Sequence, residues 1–91
     1  MPAAGRPDLH VVARFLDRLA GPGAGSLTRS RLQRAVGLNY DLFRRYLDLV
    51  VAKGLVERLP GPPESFQLTS KGRSTLAELA RWLDDLFSSR F

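Results

Sequence analysis

The sequence predicts a mainly α fold with one small β-hairpin (class α+β), in the order α-α-α-β-β-α with a long C-terminal helix. Three observations predict it. Apolar residues recur at helical spacing near both ends of the chain. Gly37-Leu38-Asn39 breaks one helical pattern and lets another start at once. Residues 55–59, "LVERL", alternate apolar and charged positions, and a Pro/Gly loop separates them from a second short extended run.

The first helix reads "LHVVARFLDRLA", with Asp8 as N-cap. Leu9, Val12, Leu16 and Leu19 form its stripe, Phe15 flanks them, and "GPGAG" ends it. A second helix spans about Thr28 to Val36, capped by Ser26 or Thr28. A third spans Tyr40 to about Lys53, capped by Asn39 and closed by Gly54. "PGPPES" is a loop between the strands 55–59 and 66–69. Thr69 caps a last helix that runs to about Phe87.

A helix of ~18 residues is ~27 Å long, more than one small core needs. The organisation expected is a disordered start over residues 1–7, a domain over 8–75, and a C-terminal dimerisation helix over 76–91 continuing from it.

The 91 residues make one domain with a single modest core. No cysteine is present, which excludes disulfides and thiolate metal sites. Chains this short often gain core by sharing it with a second copy. Leu76, Leu79, Leu83 and Leu86 lie three or four apart on the last helix, widened by Ala80 and Phe87, with Trp82 off the stripe. These six stripe residues are the expected homodimer seam. The alternative is that this helix folds back over the first and stays within the chain.

The joint at Gly37 has the features of a helix-turn-helix. Glycine tolerates the positive φ that a tight corner requires. Leu32, Val36, Leu38, Phe43 and Tyr46 are placed to clamp the two helices together, and Ala35 permits close approach. That leaves Tyr40, Asp41, Arg44, Arg45 and Asp48 facing outward. A DNA major groove admits one such helix, whose first residues meet base edges. Arginine forks suit guanine edges and phosphates, so Arg44 and Arg45 are candidate readers. The competing reading pairs them with Asp41 and Asp48 along the helix.

Arg29, Arg31 and Arg34 crowd the preceding helix, and Ser26, Thr28 and Ser30 add hydroxyls near its N-terminus, where phosphates are favoured. Over residues 26–46 five arginines stand against Asp41 alone, a net +4 out of +5 for the whole chain. The predicted DNA-binding set is therefore Ser26, Thr28, Arg29, Ser30, Arg31, Arg34, Asn39, Tyr40, Arg44 and Arg45.

A helix-turn-helix followed by a hairpin is a winged helix. Its wing tip here carries Glu64 and no Lys or Arg between Pro60 and Ser65, so the wing is not expected to read bases.

"TRSRL", "LNY", "RYL", "KGLVE" and "LTSKG", in that order and spacing, resemble the small archaeal winged helix-turn-helix DNA-binding proteins, both chromatin-associated proteins and short transcriptional regulators. The resemblance covers about residues 9–87. It implies a homodimer held by the C-terminal helices and binding double-stranded DNA. In relatives that helix can form an extended antiparallel coiled coil; ending at Phe91, it is expected to form a compact seam here.

No enzyme is expected. The sequence matches its one histidine, His10, with no catalytic nucleophile motif, Asp84 and Asp85 point apart on a helix, and neither a phosphate loop nor metal-ligand spacing occurs. No cofactor or metal is implied, and no apolar run approaches a membrane span. The expected function is a small cytoplasmic, nucleoid-associated transcriptional regulator. The alternatives are a non-specific chromatin-packaging protein and a winged-helix protein-interaction module.

Overall fold

The computed structural model describes residues 6–21, 23 and 25–88, with side chains as far as Leu83. Of the start expected to be disordered, residues 1–5 lie outside the described residues. The elements are α1 (Leu9–Ala20), β1 (Ser26–Thr28), α2 (Arg29–Val36), α3 (Tyr40–Ala52), β2 (Val56–Leu59), β3 (Ser65–Leu68) and α4 (Ser70–Ser88). The predicted order is present, with one strand added.

Polar caps start the helices as the sequence indicates. Asp8 accepts from the His10 N–H, Thr28 from Arg31 and Asn39 from Leu42. Each satisfies a donor that the first helical turn leaves open. Thr28, rather than Ser26, is the cap of α2, because it directly precedes the first helical residue, Arg29.

The strand β1, which holds Ser26, corrects the two-stranded expectation. The sheet is three-stranded and antiparallel, in the order β1-β3-β2. Leu27 and Arg58 flank Phe66 on either side, and Val56 faces Leu68. A run of only three residues shows no alternation, and its partner lies far along the chain. The hairpin strands also shift slightly: β2 begins at Val56 and β3 ends at Leu68. Leu55 and Thr69 leave the ladder but stay joined by a Thr69 N–H to Leu55 O bond of 3.1 Å.

The core is built from Phe15, Leu16 and Leu19 of α1, Leu32 and Val36 of α2, Phe43, Leu47 and Val50 of α3, and Val56, Phe66 and Leu68 of the sheet. Phe15 is its centre, not a flank: the ring is fully buried and stacks on Phe43 at 5.6 Å. Leu9, expected in the α1 stripe, is 43% exposed instead. It occupies the first turn of the helix, beyond the edge of the core. Helix α1 lies against α2, α3, β3 and α4, so α4 folds back over it and Leu76 and Leu79 pack on the chain's own core.

The start of α4 is locked to the end of α3. The Thr69 hydroxyl donates to Gly54 O at 2.6 Å and accepts from the Gly72 N–H at 2.9 Å, and Lys71 Nζ donates to Lys53 O at 2.8 Å. This junction admits no side chain at Gly72, where a Cβ would sit 2.1 Å from Leu55 O and 2.7 Å from Leu68 Cδ1. Replacing Gly72 with alanine is expected to lower stability by about 1–3 kcal/mol or more, as overpacking against backbone does. Gly21→Ala, with φ −58° and Arg18 O at 3.5 Å, is the near-neutral control. Urea denaturation of the two variants checks the contrast.

Candidate nucleic-acid interface

Helix α2 ends on Gly37, whose φ of 69° and ψ of 34° lie in the left-handed region. Its N–H donates to Gln33 O at 3.0 Å, and the chain turns through Leu38 and Asn39 into α3. A side chain is strained in that backbone conformation, so glycine fits the corner. Gln33 Nε2 bridges the turn to Leu38 O at 3.3 Å.

Two arginines of α1 fix the corner from behind, which the sequence did not disclose. Arg14 Nη1 donates to Val36 O at 2.9 Å, and Arg18 Nε donates to Ala35 O at 3.1 Å. Both carbonyls belong to the last turn of α2, where acceptors lack helical partners and the helix dipole is negative. Their i,i+4 spacing places Arg14 and Arg18 on one face of α1, but spacing alone does not reveal their acceptors. Leu32, Val36 and Phe43 of the predicted clamp are fully or almost fully buried; Leu38 and Tyr46 are half-buried. Tyr46 also reaches α1, accepting from the Asp8 N–H at 2.8 Å.

Held this way, α3 presents Tyr40, Asp41, Arg44, Arg45 and Asp48 to solvent. Leu42, not foreseen, joins them at 38% exposure. On α2, Ser30, Arg31 and Arg34 are exposed. Arg29, Ser30, Gln33, Arg34, Gly37 and Leu38 line an open notch of about 550 Å³ along α2 and the corner. Among the described residues, none of Arg31, Arg34, Arg44 and Arg45 forms an ion pair. The intrahelical pairing of Arg44 and Arg45 with Asp41 and Asp48 is therefore absent.

Arg29 is different. Its Nη2 bonds Glu64 Oε1 at 3.0 Å, while Arg58 Nε meets Glu64 Oε2 at 3.2 Å. Both guanidinium carbons lie over the Phe66 ring, 5.5 and 5.7 Å from its centroid. The remaining predicted residues are spread around this centre. Ser26 and Thr28 are the first and last residues of β1, Thr28 also caps α2, and Asn39 caps α3. On α4, Leu83 is half-buried and Ala80 exposed, while Trp82 is 54% exposed. The side chains of Leu86 and Phe87 lie outside the described residues.

A three-helix arrangement with a glycine corner, followed by a hairpin packed against the first and third helices, is the outline of a winged helix-turn-helix, and the profile of that family matches residues 6–86. The chain belongs to the winged helix-turn-helix family. The β2–β3 hairpin is its wing.

No curated protein matches the chain in sequence. Solved structures do match in fold. A MarR family transcriptional regulator from Streptomyces coelicolor superposes with a TM-score of 0.75 at 21% identity, covering 90% of this chain and 60% of that one. MarR from E. coli, in its oxidized form, gives 0.67 at 28% identity over 77% of this chain and 51% of that one. A DNA-binding protein from Sulfolobus solfataricus gives 0.68 at 22% identity over 93% of this chain and 90% of that one. This winged helix-turn-helix thus spans little more than half the length of the two MarR-type chains.

The arginines divide into those that build the corner and those that do not touch it. Alanine at Arg31, Arg34, Arg44 or Arg45 is expected to change stability by no more than about 0.5 kcal/mol. Arg14→Ala is expected to lose about 1 kcal/mol or more with its bond to Val36 O. Chemical denaturation of the five variants measures both sides of that division.

Proposed function

We propose that this chain binds double-stranded DNA through α2 and α3 as a small transcriptional regulator. The observation that carries the proposal is the set of four arginines, Arg31, Arg34, Arg44 and Arg45, exposed on one helix-turn-helix and paired with no carboxylate among the described residues. Arg44 and Arg45, with Tyr40 beside them, enter the major groove. Arg31 and Arg34 take backbone phosphates, helped by Thr28, Ser30 and the N-terminal turn of α2. Ser26 and Asn39 stand at the margins of this surface. The relatives named above as transcriptional regulators and as a DNA-binding protein support this reading.

Among the described residues, no group of three or more His, Asp or Glu is placed to hold a metal ion. No helix there is long and apolar enough to cross a membrane; a cytoplasmic, nucleoid-associated place belongs to the proposal because DNA is the proposed partner.

The assembly proposed is a homodimer paired through the distal part of α4. Among the described side chains, Ala80 and Leu83 form the seam, next to Leu76 and Leu79, which also pack on the core. The exposure of Trp82 supports a second contact surface on this helix. Light scattering at micromolar concentration is expected to give about twice the 10.1 kDa chain mass. Leu83→Glu should return it to one chain while the fold persists.

If Arg31, Arg34, Arg44 and Arg45 together neutralise about four phosphate charges per protomer, log K against log salt should fall with a slope near −7 for the dimer, and a slope shallower than about −2 would refute the proposal. Arg44→Ala and Arg45→Ala should each lose roughly 1–3 kcal/mol and narrow the gap between a selected site and scrambled DNA. Arg31→Ala should weaken both duplexes alike. If all three act alike on both, packaging replaces regulation as the function.

A further inference from the structure

We propose that Glu64 is a specificity-determining residue: it withholds Arg29 and Arg58 from indiscriminate phosphate contacts and ties the wing to the helix-turn-helix. This rests on the DNA-binding reading above.

The geometry follows from strand periodicity. Phe66 and Leu68 are the buried residues of β3, Glu64 immediately precedes the strand, and Arg58 stands opposite Phe66 in the register. Glu64 stands where the apolar core runs out. The first residue of α2, Arg29, reaches the same spot from the other side. Both carboxylate oxygens are engaged, one by each guanidinium, at 3.0 and 3.2 Å. Both guanidinium groups lie over one fully buried ring. Among the described residues, Glu64 is the one carboxylate that pairs with arginines of both α2 and β2, and its side chain is 35% exposed.

Charge gives the arrangement its consequence. Two arginines at the first turn of a helix and the root of a wing are placed for DNA phosphates of any sequence. Such contacts strengthen binding everywhere and add nothing to discrimination. Glu64 reduces the local charge of the trio from +2 to +1. It also competes with an incoming phosphate as an intramolecular anion, at high effective concentration. Specificity is a difference of affinities, and lowering the non-specific term raises it.

Four proteins test this: the wild type, Glu64→Gln, Glu64→Asp and Arg58→Gln, each titrated with a selected duplex and a scrambled one across a salt series, with melting curves alongside. Glu64→Gln is expected to bind the scrambled duplex several-fold more tightly, with a slope steeper by about 0.9 for each arginine released, and to discriminate less. Glu64→Asp should restore the wild-type slope. Arg58→Gln, which leaves Glu64 paired to Arg29, should also keep it. A folded Glu64→Gln with an unchanged slope overturns the inference. So does weaker binding to both duplexes at constant slope, the mark of a structural role alone. Should Glu64→Gln fail to fold, Arg58→Gln still decides, because a slope shallower by about 0.9 per protomer would show Arg58 already contacting phosphate. A wild type with no salt-dependent binding to either duplex would instead refute the DNA-binding reading itself.

Discussion

Phe15 on α1 and Phe43 on α3 lie with their ring centroids 5.6 Å apart and their planes 19° from parallel, both without solvent exposure. That contact fixes how α3 sits on α1. Offset stacking of two buried rings adds about 0.5–1.5 kcal/mol to the burial of the rings themselves. Tyr46 extends the stack one turn further along α3, at 6.4 Å from Phe15, and its hydroxyl accepts from the backbone at the head of α1. With α3 seated, α2 has little freedom left. Gly37 joins the two, and Arg14 and Arg18 grip the last carbonyls of α2 from the same α1. Helix α1 is therefore the frame, and the orientation of the exposed arginine face depends on it.

The arginine excess resolves into distinct roles once the fold is seen. Arg14 and Arg18 bind helix carbonyls, while Arg29 and Arg58 share Glu64 over Phe66. Arg31, Arg34, Arg44 and Arg45 remain on the surface of α2 and α3. A net charge of +5 is a statement about the whole chain; the force on a polyanion comes from cations that the fold leaves accessible. Nothing distinguishes Arg29 from Arg31 in the sequence, yet one is tied down and the other is not.

What the sequence made legible was local. The caps Asp8, Thr28, Asn39 and Thr69, the breaker Gly37 and the alternation at 55–59 act within a few residues, so the helices and the hairpin could be read directly. The outward face of α3 followed from the 3.6-residue period. Three features depended on partners distant in the chain and were not readable. The strand Ser26–Thr28 exists because β3 offers an edge to it. Gly72 matters because the Leu55 carbonyl passes close by. Glu64 looked like a bland wing residue until β3 placed it between Arg29 and Arg58. The period of Leu76 and Leu79 suits a seam, and the fold packs both on the chain's own core. A heptad-like stripe does not say whether the surface it meets lies in the same chain.

The measurement that bears most directly on a corner-aimed α3 as the DNA-binding surface is amide chemical-shift perturbation with a short duplex titrated into the folded protein. The largest shifts and broadening should fall on residues 28–34 and 40–45, with α1 and the exposed Trp82 region of α4 little changed. Perturbation centred on α1 or α4, with residues 40–45 unaffected, would contradict it.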